Sequence, residues 1–159
     1  SNANLSGTFF CFADMTNALL TNSDLSNADL RNVNLTKANL QWATLYRARL
    51  DYALLCSTNL SNTDLRSANL YGSDFHNATL CDADMTDAFL SNANLSGANL
   101  SGANMSNAQM GYTNLSNTDF SGTILFNVKF HHDNLSGSNI LIATLDNADK
   151  STNIPITVM

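Results

Sequence analysis

Every fifth residue from Leu5 to Leu145 is large and apolar, 29 positions without a gap. Twenty of them are Leu; Phe10, Phe75, Phe120, Phe130, Met15, Met85, Met105, Met110 and Ile140 fill the others. Two residues before each sits a small side chain, Ala in 17 of the 29 cases and mostly Ser or Thr otherwise. Only Val33, Val128 and Asp133 depart from small and neutral. Asn or Asp usually lies between the two, and Ser, Thr, Asn or Gly follow. The unit A-(N/D)-L-x-x is cleanest over residues 93–107, ANLSGANLSGANMSN.

Neither regular element accommodates this period. Five residues advance an α-helix by roughly 500°, so successive Leu would spiral around it instead of forming a stripe. Along a flat strand an odd period sends successive Leu to opposite faces. For all of them to share one core, the backbone must turn inward once per repeat. Repeated identically, that path is a coil whose turns stack by strand-like hydrogen bonds about 4.8 Å apart. The small residue two positions earlier fits a second inward position near a corner. A leucine-rich repeat needs a period of about 20–29 with unequal Leu spacing, and the uniform spacing excludes it.

Composition agrees. The chain has 159 residues and is 44% hydrophobic, enough for one domain with its own core. All 13 acidic residues are Asp, Asn numbers 24, and Lys and Arg together only seven, a surface unlike that of helical proteins. No apolar run approaches the roughly 20 residues of a membrane helix, and no secretory signal is expected from the opening residues.

The 29 uninterrupted repeats over residues 5–149 resemble those of pentapeptide-repeat proteins. The resemblance implies an all-β fold, a right-handed quadrilateral β-helix with four pentapeptides per coil. That makes about seven coils and a rod on the order of 35 Å long. Periodicity alone gives a coil; the number of sides comes from the resemblance.

Three segments follow. Residues 1–3 look like the scar of a removed purification tag, residues 4–149 are the solenoid, and residues 150–159 form a C-terminal tail. The pattern stops at Lys150, and Ile154-Pro155-Ile156-Thr157-Val158-Met159 brings β-branched residues that the repeats lack. A solenoid exposes apolar core at both ends, so the tail is expected to cap the last coil or to contact a second subunit. At the other end, Thr8-Phe9-Phe10-Cys11-Phe12 carries more apolar residues than the pattern needs, and Phe9 and Phe12 are candidates to fold over the first coil.

Catalytic and metal chemistry find little support. Cys11, Cys56 and Cys81 each follow a core residue, form no C-x-x-C pair and suit a reducing, cytoplasmic compartment. His131-His132-Asp133 is the one local cluster of metal-ligand types, but adjacent side chains in extended backbone point apart. Asp133 occupies an inward position, so it must meet a His or Lys129, or distort the coil. Replacing it with Ala should raise stability if the carboxylate is merely tolerated and lower it if it is a paired anchor. Asp14, Asp24, Asp29, Asp64, Asp74, Asp84 and Asp119 alternate with Asn at one repeat position, as expected if turn geometry sets the requirement. No phosphate loop, dinucleotide fingerprint or nucleophile elbow is present. We expect no enzyme, no cofactor and no metal.

With four repeats per coil, residues 20 apart stack. Of the nine aromatic residues outside core positions, Phe9, Phe12, Tyr52, Tyr71, Phe89 and Tyr112 then fall on one face, joined by Arg31, Arg49, Lys129, His131 and His132. Aromatic residues and Arg are enriched in protein interfaces, which makes this the candidate interaction face, with Phe9, Phe12, Arg49, Tyr52, Tyr71, Phe89 and Tyr112 at its centre. Trp42, Tyr46 and Phe126 fall elsewhere.

The family includes quinolone-resistance proteins whose acidic β-helix imitates DNA and occupies a type II topoisomerase. B-DNA carries one charge per about 1.7 Å, so a rod of roughly 35 Å would need about 20. Thirteen Asp offset by seven bases, a net charge of −6, fall short. Residues 31–66 moreover hold five bases against two Asp. A non-enzymatic solenoid presenting a rigid surface to another protein, or serving as a scaffold, is the first expectation. DNA mimicry at a topoisomerase such as gyrase is the second. Direct nucleic-acid binding and a membrane span are not expected; pairing of two copies through a coil end is the alternative to a capping tail.

Overall fold

The fold follows from how one pentapeptide satisfies its five backbone N–H groups, a full accounting that buried backbone demands. Around Leu25, the Asp24 N–H donates to the Ala3 carbonyl of the preceding coil (2.9 Å) and the Leu25 N–H to the Thr44 carbonyl of the next (2.7 Å). The Asn27 N–H also reaches the next coil, at Tyr46 (2.9 Å), and the Ala28 N–H closes a turn onto the Leu25 carbonyl (3.1 Å). The fifth, that of Ser26, donates to Asp24 Oδ1 (2.9 Å). Asn plays the same part for Thr36, Ser61 and Ser101. The residue before the core Leu is therefore a local cap that reaches two residues ahead, where Asn and Asp serve equally and Glu is one methylene too long. That accounts for both the Asn surplus and the missing Glu.

Each turn also needs one residue with positive φ at its third position, the type II signature. Every fifth residue from Asn2 to Gly137 supplies it, with φ between 55° and 71°. Asn and Gly fill most of these corners because they tolerate the left-handed region best.

Repetition of the unit gives the architecture. The computed structural model describes residues 1–144, and every β-bridge in it is parallel and joins residue i to i+20. Four bridge columns run along the molecule, starting at Asn4, Phe9, Asp14 and Leu19. The first passes through Asp24, Thr44, Asp64, Asp84, Asn104 and Ile124 to Thr144, seven steps. This is a parallel β-solenoid with a 20-residue coil, its pairing reduced to single bridges because the chain turns again after each one. Asn2 and Ala3 are hydrogen-bonded into the second coil, at Thr21 and Asp24, so the ladder includes them. Leu145, Lys150 and the tail, with the cap or dimer contact expected of it, lie outside the described residues.

Inside, the core positions from Leu20 to Phe130 and the Ala positions before them form one buried cluster. Ser and Thr replace Ala there because their hydroxyls find backbone carbonyls. Thr58 donates to Leu35 (2.7 Å), Thr63 to Leu60 (2.6 Å) and Ser73 to Leu50 (2.7 Å). At the N-terminal end Leu5, Phe10 and Met15 are only partly buried. Phe9 and Phe12 do not cover them: they are 83% and 78% exposed. Phe9 stands at an outward bridge position and Phe12 at a corner of φ 61°, so both project sideways, away from the open end.

Two side chains interrupt the pattern near the C-terminal coils. Asp133 is half-buried, and of its two expected outcomes it is the local distortion of the coil that occurs: its partners are backbone groups, not a His or Lys129 side chain. Its Oδ1 accepts the Thr113 N–H (2.6 Å) and its Oδ2 the His131 N–H (2.7 Å). The Thr113 N–H would otherwise close the turn onto Met110, as its counterparts do elsewhere. Asn139 substitutes its side chain for its backbone: Phe120 N–H donates to Asn139 Oδ1 (2.5 Å), and Asn139 Nδ2 donates to Asp119 Oδ1 (2.7 Å). A 3-10 helix, Ile140–Ile142, follows, and Thr144 rejoins the ladder at Ile124.

Burial pushes the Asp133 carboxyl above its ordinary value despite the two N–H donors. A raised native value favours folding below the unfolded pKa near 4 and loses that contribution as pH rises through the native one. Ala is the repeat's own residue here and leaves the Thr113 N–H free to close the turn. Asp133→Ala is therefore expected to stabilise the protein by about 1 kcal/mol at pH 7, and by less at pH 4. Urea titrations at the two pH values measure the difference; destabilisation at pH 7 would make Asp133 an anchor.

Candidate protein-interaction face

The second bridge column runs Phe9, Asp29, Arg49, Asn69, Phe89, Gln109, Lys129. Beside it lies a corner where Phe12, Tyr52, Tyr112 and His132 occupy the positive-φ position at 61°, 57°, 58° and 60°, with Gly72 stacked next after Tyr52. Tyr71 and His131 precede that corner by one residue. The coil thus brings Phe9, Phe12, Arg49, Tyr52, Tyr71, Phe89 and Tyr112 to one side. Tyr52, Tyr71, Phe89 and Tyr112 are all well exposed, Tyr112 at 63%.

The rings form two clusters. Tyr52 meets Tyr71 edge-to-face, centroids 5.5 Å apart at 82°, a preferred aromatic geometry. Partial desolvation, with Tyr71 as a second cause, raises the Tyr52 hydroxyl pKa. Further along, Tyr112 stacks on His132 at 5.1 Å and 22° and meets His131 edge-on at 5.9 Å. His131 and His132 therefore serve as partners of an aromatic ring, and among the described residues no group of three His, Cys, Asp or Glu side chains could hold a metal ion. A groove of about 300 Å³ runs past Asp51, Tyr71 and Phe89. Asp51 Oδ1 accepts a hydrogen bond from Asn69 Nδ2 at 2.7 Å, while its Oδ2 is buried without a partner among the described residues.

Arg49 and Arg31 converge on Asp29. Arg31 makes a two-pronged contact, Nε to Oδ1 at 2.8 Å and Nη2 to Oδ2 at 2.7 Å, and Arg49 Nη1 stands 3.6 Å from Oδ2. The Arg31 hydrogen bonds hold the Asp29 carboxyl far below the usual carboxylate range. The clamp therefore stabilises the fold above pH 4 and is lost only as pH falls well below that.

Trp42, Tyr46 and Phe126 lie off this face, as expected. The sequence reading missed that Tyr46 gathers Arg47 and Arg66, whose guanidinium carbons lie 5.0 and 5.6 Å from its ring centroid. The signal was available in the register: Arg66 follows Tyr46 by 20 residues.

A 20-residue coil with four bridge columns, its outward side chains sorted along them, defines a β-helical repeat protein. The chain belongs to the pentapeptide repeat family: the pentapeptide repeats pattern matches in eight copies, over residues 1–36, 13–51, 48–87, 73–110 and 103–140. Among solved structures it is similar to HetL, a pentapeptide repeat protein involved in heterocyst differentiation regulation in the cyanobacterium Nostoc. HetL shares 26% identity over 92% of this chain and 84% of its own, with a TM-score of 0.33. It is similar also to QnrB1, a plasmid-mediated fluoroquinolone resistance protein, at 21% identity over 92% and 91% and a TM-score of 0.49. A second Nostoc pentapeptide repeat protein matches at 33% identity over 65% and 69%, TM-score 0.41. No curated protein matches the chain.

Proposed function

We propose that this chain is a non-enzymatic interaction or scaffold solenoid that binds another protein through its aromatic face. The coil is right-handed and about seven turns long, as the family resemblance implies. The observation that carries the proposal is the corner column itself. Four of its positions between Phe12 and His132 hold aromatic rings in a left-handed conformation that Asn and Gly adopt more cheaply. Lys37, Arg47, Ser57 and Asp87 take the same conformation at other corners, and among the described residues Trp42 is the one ring at a positive-φ corner outside this column. It is this concentration of rings in one column that favours a binding role over chance exposure.

The thiols support a cytoplasmic setting and an inert role. Cys11, Cys56 and Cys81 are free, and burial together with Asp74 pushes the Cys56 thiol up to about 11. Among the described residues no helix is long and apolar enough to cross a membrane.

The test is a pull-down with the Tyr52→Ala, Tyr71→Ala, Tyr112→Ala triple variant. The account expects a partner held by the wild type to be lost, at unchanged circular dichroism; retention at wild-type level would refute the face. A gyrase supercoiling assay separates the DNA-mimic alternative. No inhibition is expected at micromolar protein, because Arg31, Arg47, Arg49 and Arg66 interrupt the negative charge that a DNA-binding groove requires.

A further inference from the structure

A second concave strip lies on another side of the coil, between a corner column and the first bridge column. Trp42, Asn62 and Asp82 follow one another in the corner column, each donating its N–H to the next coil. Asp64 and Asp84 are bridged directly beside them. Trp42, the sole tryptophan, is 56% exposed and borders a groove of about 260 Å³ with Asp64, Arg66, Asp82 and Asp84.

The strip already displays one way of holding a guanidinium. Arg66 grips Asp64 through Nε and Nη2, at 2.8 and 2.7 Å, and its Nε lies 3.8 Å from Asp84 Oδ2. The same guanidinium faces the Tyr46 ring. Carboxylate below and aromatic ring beside is the arrangement that favours Arg, whose planar group stacks and forks at once. Trp42 and Asp82 present the same two chemistries further along the strip. Among the described residues, Asp82 forms no ion pair with any cation of the chain. Indole is the strongest of the aromatic cation acceptors. Three carboxylates against one guanidinium make the groove attractive to cations and repellent to phosphates and acidic segments.

We propose that this groove docks an arginine-bearing segment of a partner protein, with one guanidinium stacked on Trp42 and another paired with Asp82 and Asp84. The site is independent of the tyrosine face and lies on a different side of the coil.

Trp42 reports on the site directly. Titrating the protein with an acetylated tetra-arginine amide at low ionic strength should produce a saturable change in Trp42 emission, reversed by 0.5 M salt as expected for an exposed ion pair. The tetra-citrulline peptide, isosteric but uncharged, should produce none, and tetra-lysine a response at least threefold weaker. Asp82→Asn with Asp84→Asn should weaken the arginine peptide at least tenfold. Calorimetry on Trp42→Ala, which removes the reporter, should show a similar loss. The proposal is overturned by an absent response at millimolar peptide, by equal binding of citrulline or lysine peptides, or by unchanged binding to either variant. Trp42 and Asp82 are exposed, and Asn fills the capping role of Asp84 elsewhere in the repeat, so circular dichroism should match the wild type, and the Tyr52, Tyr71, Tyr112 variant should bind the arginine peptide normally.

Discussion

Phe75→Ala is expected to cost about 3–5 kcal/mol of stability, the range for emptying a fully buried aromatic site. Phe75 is completely buried near the middle of the solenoid. Its register places it between Leu55 and Leu95: the Leu55 N–H donates to Asp74 and the Phe75 N–H to Asn94, each at 2.7 Å. A solenoid has only nearest-neighbour interfaces, so a cavity there weakens the coupling of the two halves as well as the local packing. Thermal denaturation should therefore show a fall in Tm on the order of 10 °C and a broader transition. Phe10→Ala, in the partly buried first coil, should cost about half as much or less. Equal losses at the two positions would contradict the packing described for the open end.

Gly72→Val should destabilise by about 2 kcal/mol or more, and it should do so by disturbing the candidate face. Gly72 has φ +64°, a conformation costing a β-branched residue roughly 1–2 kcal/mol. A Cβ at this position would also stand 2.7 Å from Tyr52 Cε1, so the ring must leave its place against Tyr71. Gly72→Asn separates the two costs, because Asn tolerates the backbone but still carries a Cβ. The expected results are a lower urea midpoint for both, larger for Val, and a changed near-ultraviolet circular dichroism signal from the tyrosine pair in both. An unaltered tyrosine signal in the Val variant would show that the ring does not depend on Gly72.

The pentapeptide carries much of its own structural explanation. The core register, the small corner position and the capping Asn or Asp are all legible, because each is dictated by interactions within five residues. The coil length is not: a five-residue period fixes an inward turn but leaves the number of turns per coil open, and only the i to i+20 bridges decide it. Side chains that act between coils were hardest to read. The pattern requires Asp133 either to meet a cation or to distort the coil, without saying how it distorts it: the carboxylate takes N–H groups of its own turn and of the preceding coil. Asn139 replaces a ladder bond by its amide, a choice of rotamer with no mark in the pattern. Phe9 and Phe12 suggested a cap by composition, whereas their repeat positions, outward and corner, already pointed them sideways.

The face was legible because stacking sorts residues by their place in the coil, and Tyr52, Tyr71 and Tyr112 needed nothing more. What the sorting could not supply is the pairing of rings, such as Tyr112 between His131 and His132, which depends on side-chain direction across coils.

The claim on which both the fold and the face depend is that residues a multiple of 20 apart share one side. Nitroxide labels at Phe12→Cys and Tyr112→Cys, with the native cysteines replaced by Ser, test it by pulsed electron resonance. Five coil steps at about 4.8 Å predict a narrow distribution centred near 24 Å, within the few ångströms of the label arms. A label pair at positions 12 and 122, half a coil further round, should be longer by part of the solenoid's width. A broad distribution for 12 and 112, or a separation as large as that for 12 and 122, would contradict the account.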